Sequence, residues 1–219
     1  MNKEIIVLAR SSKHNDYCIA GIDTSTGKWI RPISKNTYKE GAIPLKDITY
    51  KNGSTVQIFD IIKINITEHQ PTKAQPENYV YDPFVPWIKT DRTNLEQIIR
   101  FRGYDNPNTI FYNEGKDVSE EELDNVSSKK YSLLFVNVKN AYAFVKTFQP
   151  GNTRYQLNFN YNNINYKYLK ITDEKVKRSL SNKPDGQYYH RTNLPVVFSL
   201  TEKYKKTGKY YKMVAQIFY

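Results

Sequence analysis

Apolar residues in this chain come mostly in short runs with a two-residue alternation, the spacing of half-buried strands. Runs at 4–9 (EIIVLA), 17–22 (YCIAGI) and 29–33 (WIRPI) predict three strands, with Pro32 marking an edge or a strand end. A polar loop at 10–15 (RSSKHN) and a turn at 23–28 (DTSTGK) separate them, and Gly27 suits a positive φ in that turn. A long strand is predicted at 56–67. Four prolines, Pro71, Pro76, Pro83 and Pro86, then make 70–91 an extended, irregular segment. Leu95, Ile98, Ile99 and Arg102 share one face of a helix predicted over 94–102. Ser119, with Glu122 three positions later, reads as a helix N-cap within the acidic run 117–124.

The rest of the chain has a simpler order. Strands are predicted at 131–148, 153–161 and 164–172, a short helix capped by Asp173 runs to about Leu180, and strands follow at 194–201 and 209–218. Three strands, a helix and two strands is the connectivity of an OB-fold, a five-stranded Greek-key barrel. The expected class is all-β with short helices, as two OB-fold-like barrels in tandem. The 19 Tyr and 10 Phe agree with it, because aromatic side chains suit a pleated surface.

Charge adds a division. The net charge is +11, but residues 1–126 hold 16 basic and 18 acidic residues, whereas 127–219 hold 17 basic and only 4 acidic. On that switch the N-terminal OB-like domain is expected to span 1–126 and a basic OB-fold domain 127–219. A net of +13 on one half points to a polyanionic partner, nucleic acid, either RNA or single-stranded DNA. An even scatter of solubilising lysines is the plainer alternative. Cys18 stands alone, and His14, His69 and His190 have no ligand spacing, so neither a metal site nor a cofactor is expected. No window is apolar enough for a membrane span, and the expected setting is cytoplasmic, with no membrane partner.

OB-folds bind oligonucleotides on the face of their second and third strands. In the second strand, Tyr155, Leu157, Phe159 and Tyr161 form the inward set, which turns Arg154, Gln156, Asn158 and Asn160 outward. In the third, Leu169 and Ile171 point inward, so Tyr166, Tyr168 and Lys170 are expected outside. A single β-bulge would invert that assignment and leave the tyrosines as packing. Two loops flank this face. The loop at 183–191 offers Tyr188, Tyr189, His190 and Arg191, and the loop at 201–209 offers Lys203, Tyr204, Lys205, Lys206 and Lys209. Rings interleaved with cations match stacking on bases and tracking of phosphates, although a solvated hairpin tip has the same composition.

In the first half, Arg10, Ser11, Ser12, Lys13 and His14 form a candidate anion or nucleotide site, with Trp29 and Arg31 on the neighbouring hairpin. The alternative has Trp29 packing the barrel and Arg31 paired with Asp23 or Glu4. No glycine loop for nucleotides, serine elbow or metal cluster marks an enzyme, and no catalytic residue is assigned.

The stretch LARSSKHNDYCIAGIDTSTGKWIRPI (8–33) resembles the opening of the bacterial and archaeal dual OB-fold domain family. That family's pattern has an Ala-x-Ser-x-Lys-like loop, a Cys-Ile-Ala-Gly strand and a Trp-Ile-Arg-Pro turn. Arg10 stands where the pattern has a small polar residue. Similar segments recur at 59–61 (FDI), 69–78 (HQPTKAQPEN), 166–173 (YKYLKITD), 194–200 (LPVVFSL) and 210–217 (YYKMVAQI). The resemblance implies two OB domains and nucleic-acid binding, in the setting of RNA processing or genome defence. It brings no catalytic residues. A defence component whose first domain senses a nucleotide or a protein partner, and an RNA-processing enzyme, stay open as alternatives.

Overall fold

Alternation closes into a ring of strands twice. The computed structural model describes residues 1–13, 15–35, 40–149 and 151–219. One compact unit comprises Met1–Thr72 with Pro76–Gly103, the other Lys73–Gln75 with Tyr104–Tyr219. In the first unit lie β1 (Asn2–Lys13), β2 (Asp16–Asp23), β3 (Trp29–Ile33), β4 (Asp60–His69), β5 (Asn78–Tyr81) and β6 (Ile88–Arg92). The ring runs β1-β2-β3-β5-β4 and returns to β1, with β3 and β5 parallel and the other pairs antiparallel. β6 pairs with β4 beyond β5.

The inward isoleucines Ile5, Ile19, Ile30, Ile62, Ile64 and Ile66 fill this ring together with Tyr81 and Trp87. A Cβ on Gly21 would collide with Ile6 O of the neighbouring strand, so the Cys-Ile-Ala-Gly run ends in the one residue that lets β1 and β2 approach. Asp60 is fully buried and answers four groups: Lys89 Nζ and Arg92 Nη1 pair with its Oδ1, and the Tyr50 hydroxyl and Gln57 N donate to its Oδ2. These cations explain a strand the hydrophobic pattern hides. All five residues of β6 are exposed, and it is held by backbone pairing and by Lys89 and Arg92 on Asp60. The helix α1 (Leu95–Arg102) follows the predicted span, capped by Asn94 Oδ1 accepting from Gln97 N and buried through Ile98.

The second unit contains β7 (Asp117–Val118), α2 (Glu120–Asp124), β8 (Leu133–Gln149), β9 (Asn152–Tyr161), β10 (Ile164–Ile171), α3 (Glu174–Leu180), β11 (Gly186–Leu200) and β12 (Tyr210–Ile217). Its ring is β8-β9-β10-β12-β11 and back to β8, with β10 and β12 parallel. Three strands, helix α3 and two strands in this closed order are an OB barrel. The capping box at Ser119 and Glu122 is present: Glu122 N donates to Ser119 Oγ, and Ser119 N donates to Glu122 Oε2.

The unit division falls at 103/104, not at the charge switch near 126. Ile110, Phe111, Val118 and Leu123 bury their side chains in the core of the second unit, and β7 pairs with β12. Charge reports on surface, whereas burial of these apolar residues sets the unit. Counted by unit, the second carries 19 Lys and Arg against 11 Asp and Glu, a net of +8, and the first 14 against 11, a net of +3. The asymmetry keeps its sign and shrinks. No described helix is long and apolar enough to cross a membrane.

Candidate nucleic-acid interface

On β9 the alternation holds. Leu157, Phe159 and Tyr161 are core residues with Tyr155 packed against them, and Arg154 is exposed on the opposite face. On β10 it breaks between Tyr166 and Leu169, where the register with β9 shifts by a bulge. Tyr166 is therefore inside, 1% exposed, stacked on Phe159 at 5.2 Å, and its hydroxyl accepts from Ile110 N and donates to Asn113 O. That overturns its assignment to the outer face.

Tyr168 remains outside, 49% exposed, with a φ of 63°. Two of the expected binding amides hold it there. Asn158 is buried, its Oδ1 accepting from Tyr168 N at 2.5 Å, and Gln156 Nε2 donates to Tyr168 O at 3.0 Å. Both amides are engaged in supporting the bulge. Lys170, paired across from Gln156, is exposed.

Around Tyr168 the outer face of β8 supplies rings that sequence reasoning missed. Tyr142, Phe144 and Lys146 pair across from Asn158, Gln156 and Arg154. The Phe144 ring meets Tyr168 edge-on at 5.7 Å, and Phe148, 53% exposed, carries the Arg154 guanidinium 4.4 Å above its ring. His190 stacks on Tyr142 at 5.2 Å. The signal was present as alternation within 141–148, where Ala141, Ala143 and Val145 are the small inward partners. Three couples of ring with ring or ring with cation thus lie on one sheet face.

The two flanking segments differ from their expected form. Residues 186–191 belong to β11 rather than to a loop, with a bulge between Tyr188 and Arg191. Tyr188 and Tyr189 are half-buried against the core, and their hydroxyls donate to Pro184 O and Ser179 O. His190 and Arg191 are exposed, Arg191 lying 5.7 Å from the Tyr219 ring. In the 201–209 segment, Lys203 pairs with Glu120 and Lys209 with Asp117, because the acidic α2 region belongs to this same unit. Glu120 is held below the usual carboxylate range by Lys203 and Lys73. Tyr204, Lys205 and Lys206 stay exposed, with Tyr204 edge-on to Tyr211.

In the first unit the expected anion loop is a strand end. Arg10, Ser11 and Ser12 pair with Ile19, Cys18 and Tyr17, so Arg10 and Ser12 face one side and Ser11 the other. Arg10 lies 4.8 Å from the Tyr17 ring with its Nε enclosed and unpaired. Arg31 is buried, donating to Asn78 Oδ1 at 3.2 Å, and Arg102 lies 5.5 Å from the Trp29 ring. Asp23, one of the alternative partners of Arg31, pairs with Lys3 at 2.7 Å. Arg31 is thus engaged within the barrel wall, while Arg10 rests on Tyr17 with its Nε unpaired. His14 lies outside the described residues, as does the Lys13 side chain.

Two five-stranded closed barrels, the second with a ring-lined outer face, define a tandem OB-fold protein. The chain belongs to the dual OB-containing domain family, whose model matches residues 3–217. No curated protein and no solved structure matches it.

Proposed function

We propose that this protein binds single-stranded nucleic acid, RNA or DNA, on the outer β8–β9–β10 face of its second barrel, as a binding module without chemistry of its own. One observation carries the reading. Tyr142 with His190, Phe144 with Tyr168, and Phe148 with Arg154 present rings on one sheet face beside exposed Lys170. Every base has a π-face, so rings of this kind hold a strand without reading its sequence, while Arg154 and Lys170 answer its phosphates. The net +8 of the unit favours approach of a polyanion. Lys203 and Lys209 contribute less than their number implies, because carboxylates already pair with them.

Tyr168→Ala is expected to weaken binding of a short oligonucleotide by roughly 1–3 kcal/mol with its salt dependence unchanged. The pair Arg154→Gln and Lys170→Gln should instead flatten the plot of log affinity against log salt by about 1.4, near 0.7 for each phosphate of a single strand that is no longer neutralised. Fluorescence anisotropy titrations at several salt concentrations read both quantities, after circular dichroism shows the fold intact. A folded Tyr168→Ala protein that binds like the parent would place the bases elsewhere.

A further inference from the structure

One end of the same face opens into a cleft of about 760 Å³, and seven of its eleven lining residues are asparagine. The cleft lies at the β9–β10 hairpin, beside the bulge of β8, and Asn160 on β9 pairs with Lys139 on one side and Asn165 on the other. Its volume lies in the range that small ligands occupy. Its chemistry is narrow. The charged groups are Lys139 and Asp105, and Asp105 already accepts from Phe135 N, so neither a metal ion nor a cluster of anions is matched. An apolar ligand would leave the amides unpaired at a cost.

Asn137 supplies the second observation. Its Oδ1 is buried and has no hydrogen-bond partner, an acceptor that a donor in the cleft satisfies once the side chain turns toward the space that the residue lines. Asn162 and Tyr161 are committed to shaping the wall: Asn162 Nδ2 donates to Pro107 O and Asn108 O, and the Tyr161 hydroxyl donates to Pro107 O at 2.9 Å. Asn165 is exposed and Asn160 half-exposed beside it. A side-chain amide carries a donor and an acceptor side by side, which matches the edge of a base bearing an amino group next to a ring nitrogen.

We infer that this cleft reads one nucleobase of the bound strand, a base with an exocyclic amine beside a ring nitrogen, adenine or cytosine, with Asn137 accepting from that amine and Asn165 or Asn160 completing the edge. Lys139 stands beside Asn160 for the adjoining phosphate. This inference rests on the proposed binding face and adds base selectivity to it. The rings of that face hold any base, and the asparagines select those with an amine beside a ring nitrogen.

The test uses the full chain and three RNA hexamers: adenosine, purine riboside, which lacks only the exocyclic amine, and uridine. The adenosine hexamer is expected to bind about tenfold more tightly than the purine riboside hexamer, and Asn137→Leu should remove that difference. Asn165→Ala, an exposed position, should reduce it several-fold and keeps the test sound if Asn137→Leu fails to fold. Equal affinity for the adenosine and purine riboside hexamers overturns the cleft assignment and leaves the binding face standing. Discrimination that survives both variants places the reader elsewhere and overturns it equally. No binding of any hexamer removes both proposals.

Discussion

Replacing Asp173 by Ala is expected to cost the second barrel about 3–5 kcal/mol, a large fraction of the stability of a domain this size. Asp173 is 1% exposed and stands at the N-cap of α3, where its Oδ1 accepts from Lys175 N and Val176 N. Its Oδ2 accepts from Ile217 N and Gln216 Nε2 at the end of β12. Burial raises its pKa, and the backbone donors pull partly back. Alanine removes the cap, worth about 1 kcal/mol, and strips two buried donors of β12 of their acceptor at about 1–2 kcal/mol each, Gln216 Nε2 keeping only its bond to Ile217 O. Asparagine should recover little of this, since its amide group must face donors at one end or the other. Urea denaturation followed by tyrosine fluorescence gives the midpoints, and an Asp173→Asn protein as stable as the parent would show that the junction of helix and strand does not depend on the carboxylate.

The second large effect is a dependence of stability on pH through Lys212. This lysine is 1% exposed, and its Nζ donates to Phe111 O, Asn113 O and Asn113 Oδ1 at 3.1, 2.6 and 2.6 Å, with the Tyr166 ring 5.3 Å away. Burial pulls its pKa down to about 7, with Glu122 and Asp117 acting against that shift. In the unfolded chain the same group titrates near its ordinary value of about 10.4. A lowered folded pKa means that the fold is favoured once the proton is gone, so stability falls as pH drops through the folded value and rises above it. From pH 7 to 9 the gain should be about 2 kcal/mol, near 1.4 kcal/mol for each pH unit once the folded group is neutral. Lys212→Met removes the titration, and its stability should stay flat over that window relative to the parent. Parallel profiles for the two proteins would mean that Lys212 keeps its proton, held by the three oxygens.

Sequence alternation found most of the strands that bury one face, but it left β5, with Val80 and Tyr81 buried, inside the irregular segment at 70–91 and began β11 at 194 rather than 186. β9 and α3 fall within a residue or two of the expected spans, and the inward set Tyr155, Leu157, Phe159 and Tyr161 is as read. It missed β6 because no residue of that strand is buried, and what holds it is an aspartate about thirty positions away in sequence. It misassigned Tyr166 because a bulge adds one residue to β10, and the side-chain amides that support the bulge, Asn158 and Gln156, lie on another strand. Half of the candidate face was legible for the same reason. Arg154, Tyr168 and Lys170 follow from local alternation, whereas Tyr142, Phe144 and Phe148, outward by their own alternation with Ala141, Ala143 and Val145, are brought beside them by the pairing of β8 with β9. The charge boundary failed on a different count, since an acidic helix packed onto a basic barrel looks in sequence like the tail of the preceding domain.

The most direct test of the binding face is to photocrosslink a short oligonucleotide carrying 4-thiouridine to the full chain and map the adducts by mass spectrometry. Adducts are expected on peptides holding Tyr142, Phe144, Phe148, Tyr168 and His190, and they should fade as salt rises. Adducts confined to residues 1–103, or spread over both units without enrichment on β8 and β10, would contradict the assignment of binding to the second barrel.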